Sequence, residues 1–150
     1  MRKIKAILLL CFFLTLTSCS SNMKSTVSYK IETGDIIGIT IDAKRGYSQT
    51  ETVPFAIQKD NETVMTGNFI YIDSYEEYME QIKTDPAVEI ITESEKDRNQ
   101  YVFFHETGMN EYAYLIQVAD TETALILGGG KEQQKAEECF NSLQIISEKK

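Results

Sequence analysis

The stretch Tyr101-Val102-Phe103-Phe104-His105-Glu106-Thr107-Gly108-Met109-Asn110-Glu111-Tyr112-Ala113-Tyr114-Leu115-Ile116-Gln117-Val118-Ala119-Asp120-Thr121-Glu122-Thr123-Ala124-Leu125-Ile126-Leu127 decides the fold. Runs of aromatic and branched residues at 101–106, 112–119 and 123–127 read as strands, and the polar clusters at 107–110 and 120–121 read as turns. Connections this short favour antiparallel neighbours. A further strand at 88–92, followed by the turn cluster Asp97-Arg98-Asn99, extends the same meander towards the N-terminus.

Further upstream, Ile37, Ile39 and Ile41 repeat with period two, which places them on one face of a strand at 35–42. Val53-Pro54-Phe55-Ala56-Ile57 is a weaker strand, because Pro54 has no N–H to give a ladder; it lies at an edge or begins late. Asp60-Asn61-Glu62 supplies a turn before a long strand at 63–72. Two helices follow the 3.6-residue period. The first, at 74–85, carries Tyr75, Tyr78, Met79 and Ile82 on one stripe, with Asp73 and Glu76 as a weak capping pair, and Pro86 ends it. The second, at 131–143, carries Ala136, Cys139, Phe140 and Leu143. The expectation is an α+β domain at 27–146, a meandering and mostly antiparallel sheet covered on one face by two helices, with a polar tail at 147–150.

Arg2, Lys3 and Lys5 head an apolar run of about twelve residues, short of the roughly 18 to 20 that cross a bilayer as a helix. Leu16-Thr17-Ser18-Cys19 closes that run, and it resembles the lipobox of bacterial lipoproteins. The resemblance implies a signal peptide at 1–18, cleavage between Ser18 and Cys19, and a mature chain that begins with lipid on the Cys19 thiol. One acyl chain holds a protein only marginally, so stable attachment requires two or more. The alternative is an ordinary secreted protein with a cysteine near its cleavage site. Residues 19–26 then form a short tether that keeps the domain close to the membrane. Ser20 follows the cysteine where aspartate marks inner-membrane retention, which points to the outer membrane in a two-membrane envelope.

Loss of the three cations Arg2, Lys3 and Lys5 with the signal takes the formal charge from −8 to −11. Such a surface is repelled by nucleic acid and by anionic headgroups, which excludes nucleic acid as a partner and leaves the lipid on Cys19 as the link to the membrane. Cys11 also leaves with the signal, so Cys139 remains as a lone thiol whose spacing with Ala136 and Phe140 is that of a core residue.

Few residues point to chemistry. The single histidine, His105, has no second histidine or spare cysteine with which to bind zinc or copper, and it reads as a structural residue near a strand end. Gly128-Gly129-Gly130-Lys131 precedes a helix, where amides of Gly129 and Gly130 could hold an anion. The string lacks the Walker pattern, since Leu125 and Glu132 stand where glycine and a hydroxyl residue belong, and its simpler role is a sharp strand-to-helix turn. No calcium loop is present. No metal, cofactor or catalytic residue is therefore expected. Among the eight tyrosines, Tyr101, Tyr112 and Tyr114 lie on strands and form a candidate binding surface if the helices leave that face open.

The order of elements resembles the Mog1/PsbP-like domain over most of 27–146. That resemblance implies an accessory or binding protein without shared catalytic residues. The expected function is a membrane-anchored, extracytoplasmic module that binds an envelope protein or a small ligand. Two alternatives stay open: a small envelope hydrolase using carboxylates that the sequence does not single out, and a passive component of a surface assembly.

Overall fold

The computed structural model describes residues 23–148. The signal at 1–18 and the cleavage and lipidation site at Ser18 and Cys19 lie outside the described residues. Strand β1 (Lys24–Lys30) pairs antiparallel with β2 (Ile36–Asp42), Lys24 opposite Asp42 and Lys30 opposite Ile36. Lys24, Ser25 and Thr26 thus belong to a strand within the span read as tether. After a single 3-10 turn at Ala43–Arg45 come β3 (Tyr47–Gln49), β4 (Phe55–Lys59) and β5 (Glu62–Tyr71), then helix α1 (Ile72–Thr84). A four-strand meander follows: β6 (Val88–Lys96), β7 (Asn99–Glu106), β8 (Glu111–Gln117) and β9 (Thr123–Gly130). Helix α2 (Gln133–Ser142) and β10 (Leu143–Glu148) complete the described chain.

The strands form two sheets, β1-β2-β10 and β3-β4-β5-β9-β8-β7-β6, with every neighbouring pair antiparallel. Two hairpins turn on two residues each, Asp60-Asn61 and Asp97-Arg98. All four residues have positive φ, at 52°, 68°, 53° and 70°, as the tight turn matched to strand twist demands. Pro54 is followed by a strand that begins late, at Phe55, and this strand is interior, since the three-residue β3 takes the edge.

The α+β class, the antiparallel pairing and a sheet covered by two helices are as the sequence reads. The helices, however, divide between the two faces of the large sheet. Val102 and Leu115 pack with Ile82, Met79 and Tyr75 of α1. Their chain neighbours Phe103, Tyr114 and Ile116 point the other way, into a larger core built with Ala136, Cys139 and Phe140 of α2 and with Ile37, Ile39 and Ile41 of the small sheet. A sheet covered on both faces has apolar residues at consecutive positions, and Tyr114-Leu115-Ile116 is such a run.

Three element boundaries also differ from the sequence reading. Leu143 leaves α2 to start β10, which pairs with β2 and extends the domain through Glu148, beyond 146. Asp73 sits in the first turn of α1 instead of capping it; the preceding Tyr71 makes no side-chain cap, and the Ile72 N–H donates to the Glu122 carbonyl at 3.0 Å. β6 continues four residues past Thr92, through Lys96. There the Lys96 ammonium donates to the carbonyls of Phe140 (2.7 Å) and Leu143 (2.6 Å), binding the end of α2 to the large sheet. This is the helix terminus at which a cation complements the backbone dipole.

Candidate functional site

Helix α2 covers the tyrosine face. Tyr114 is buried, stacked between Phe103 (centroids 4.3 Å apart) and Phe140 (4.1 Å). Burial, reinforced by nearby Glu137, pushes its phenol well above the ordinary range. Tyr101 meets Phe140 edge-on at 4.8 Å, and Tyr112 stacks on His105 at 4.4 Å. Tyr101 and Tyr112 are half-buried. The expected binding surface is thus mainly an aromatic layer of the core, closed because Phe140 projects from α2 onto it.

Gly129 and Gly130 lie within β9 and do not form a strand-to-helix turn. Tyr114 is opposite Leu127 and Tyr112 opposite Gly130, so Gly128 and Gly129 bulge against the single residue Ala113, with Gly129 at φ +82°. Gly130 lets α2 close down, since a Cβ there would stand 3.0 Å from that of Ala136. The flanking cations are paired, Lys131 with Glu111 and Lys135 with Glu132 at 2.6 Å.

His105 hydrogen-bonds Asn110 Oδ1 through Nε2 at 3.0 Å, across the β7–β8 turn. Cys139 is fully buried, and desolvation pushes its thiol up to about 12 despite the opposing pull of Lys59 and Lys96. Asp35 Oδ2 accepts from the Thr33 hydroxyl (2.9 Å), the Glu122 N–H (3.0 Å) and the Thr123 hydroxyl (2.8 Å), joining the small sheet to the β8–β9 connection. Among the described residues, no three of His, Cys, Asp and Glu gather as a metal-binding group.

The concavity with the makings of a binding site lies on the opposite face, between α1 and the free end of β6. It measures about 870 Å³. Tyr75 and Met79, one helical turn apart and both half-buried, contribute its apolar surface. Glu76 and Glu80 of α1 and Glu93 and Glu95 of β6 contribute four exposed carboxylates, against Lys83. A bulge in β6 places two of them. Ile90 is opposite Phe104 but Thr92 is opposite Phe103, so Ile91 is the extra residue and turns into the main core. From there the alternation is reversed: Glu93 is opposite Val102 and Glu95 opposite Gln100, on the α1 side. Without the bulge, Thr92 and Ser94 would take the α1 side of the strand instead of Glu93 and Glu95. Desolvation, followed by the charge of Glu93, raises the Tyr75 phenol.

Glu76 and Glu80 lie off the apolar stripe of Tyr75, Met79 and Ile82, and Glu93 and Glu95 belong to no motif in the sequence. Nothing in the local pattern announces the bulge that gathers them. Of the tyrosines singled out from the sequence, Tyr101 borders this crevice. Compared with family models, with curated proteins and with solved structures, the chain has no match in any of the three.

Proposed function

We propose that the chain is a lipid-anchored, extracytoplasmic domain that binds a cationic, partly apolar segment of an envelope partner in the crevice between α1 and β6, without chemistry of its own. The observation that carries this reading is the crevice itself: apolar Tyr75 and Met79 ringed by Glu76, Glu80, Glu93 and Glu95. Burial of the apolar part would drive association, and the carboxylates would select the partner's charge and speed encounter. The groups best suited to catalysis are engaged in packing, His105 against Tyr112 and Cys139 on the buried face of α2. The resemblance of the element order to the Mog1/PsbP-like domain points to the same class of role, and the lipobox supplies the anchor.

Site-specific photocrosslinking in intact cells tests the proposal. A crosslinker replacing Glu95, in the crevice, should give one discrete adduct that is lost on Met79→Lys. The same crosslinker at Met109, on the distant β7–β8 turn, should not give it. Identical adducts from both positions, or none from Glu95, would overturn the reading.

A further inference from the structure

The domain is strongly acidic as a whole, yet its charge is unevenly spread. Met23, the first described residue, accepts a 2.8 Å hydrogen bond through its carbonyl from the N–H of Ala43. That contact fastens the incoming chain to the 3-10 turn carrying Lys44 and Arg45, both exposed. Lys24, also exposed, follows at once. Lys24, Arg45 and Lys96 line one crevice with the carboxylates Asp42 and Asp97. Arg45 lies 3.7 Å from Asp42, and Lys96 is directed inward to the carbonyls at the end of α2. Lys44 stands beside the crevice, its N–H donating to Asp42 at 3.1 Å. Cations are therefore in excess where the chain arrives, in contrast to the rest of the molecule.

Cys19 precedes Met23 by four residues, a span of at most about 14 Å when fully extended. Headgroup charge acts over about 8 Å at physiological salt, so a domain tethered this closely holds its entry end near the field of the bilayer. We propose that the end bearing Lys24, Lys44 and Arg45 rests on the anionic headgroups of the membrane to which Cys19 is tethered, an inference that rests on the lipid-anchor reading. Docking there involves the small-sheet layer. The α1 crevice belongs to the opposite face of the large sheet and stays open to a partner. Each lysine or arginine held at an anionic surface multiplies the docked population about fivefold.

The chain contains no tryptophan, so single replacements report cleanly. The test uses the full lipidated chain in vesicles containing brominated lipid, with Met23→Trp at the entry end and Tyr78→Trp on α1 as two separate reporters. Met23→Trp should be quenched several-fold more strongly in vesicles containing anionic phosphatidylglycerol than in phosphatidylcholine alone. High salt, or Lys24→Glu with Lys44→Glu and Arg45→Glu, should abolish the difference, and Tyr78→Trp should remain unquenched throughout. Equal quenching of Met23→Trp in both vesicles, or quenching that survives the three charge reversals, would overturn the docking while the anchor stands. An unmodified Cys19 in the purified chain would overturn both.

Discussion

Phe140 of α2 lies stacked on Tyr114 of β8, ring centroids 4.1 Å apart and planes 18° from parallel. The contact closes the larger of the two core faces of the large sheet beneath α2. Phe140 also meets Tyr101 edge-on, and the Lys96 ammonium stands 4.7 Å from its ring. Phe140→Ala should therefore cost about 3–5 kcal/mol, the range for deleting a buried aromatic ring. Urea denaturation measures it; a loss below about 0.5 kcal/mol, the size of an ordinary surface change, would show that α2 does not close this face.

The ring of Phe55 occupies the place where a side chain on Gly67, its partner across β4 and β5, would stand. Phe55 is fully buried and in ring contact with Tyr29 and Phe69, so it has nowhere to retreat. Gly67→Ala should destabilise by about 1–3 kcal/mol through overpacking. Gly108→Ala, where nothing lies within 4 Å of the added carbon, should change stability by less than about 0.5 kcal/mol. Equal melting temperatures for the two variants would refute the close approach.

Asn99 is a buried polar residue that joins the layers. Its amide nitrogen donates to the Ile145 carbonyl at 2.8 Å, and its oxygen accepts from the Ala119 N–H at 2.9 Å. Asn99→Ala should leave both backbone groups unpaired, at about 1–3 kcal/mol for each. Hydrogen exchange at Ala119 should accelerate accordingly, and unchanged protection there would contradict the bridge.

Alkaline pH should unfold the protein earlier than its carboxylates alone would suggest. Burial raises Cys139 from 9.0 to about 12 and Tyr29 from 10.0 to about 12, with Glu51 adding to the latter; Tyr114 is raised as well. Each group keeps its proton in the folded state after the unfolded chain has lost it. Their contribution is thus complete below pH 9 and is lost as pH climbs towards 12. Urea midpoints should be flat to about pH 9 and then fall, with Cys139 alone giving up to about 1.4 kcal/mol per pH unit. Cys139→Ala should postpone the onset to about pH 10, where tyrosine begins to ionise; the same onset in both proteins would contradict the assignment.

Much of this fold is legible in the chain because local and global signals agree. Ile37, Ile39 and Ile41 alternate as a strand with one core face must, and Asp60, Asn61 and Asp97 are turn residues that tolerate positive φ. The failures have physical causes. Leu143 fits a helical stripe with Phe140 and equally a two-residue alternation with Ile145, and only pairing with β2 chooses between them. β1 has just Val27 and Tyr29 to mark it as a strand, so its first three residues, Lys24 to Thr26, read as tether. The second covered face was announced by the unbroken apolar run Tyr114-Leu115-Ile116. The acidic crevice was not, because the alternation along β6 reverses at Ile91 in a bulge that its sequence does not mark.

The proposed membrane attachment stands or falls with lipid on Cys19. Mass spectrometry of the N-terminal peptide from the membrane fraction measures it directly. The expected result is a peptide that begins at Cys19 and carries the mass of two or three acyl chains. A chain recovered from the medium with Cys19 unmodified would contradict the account.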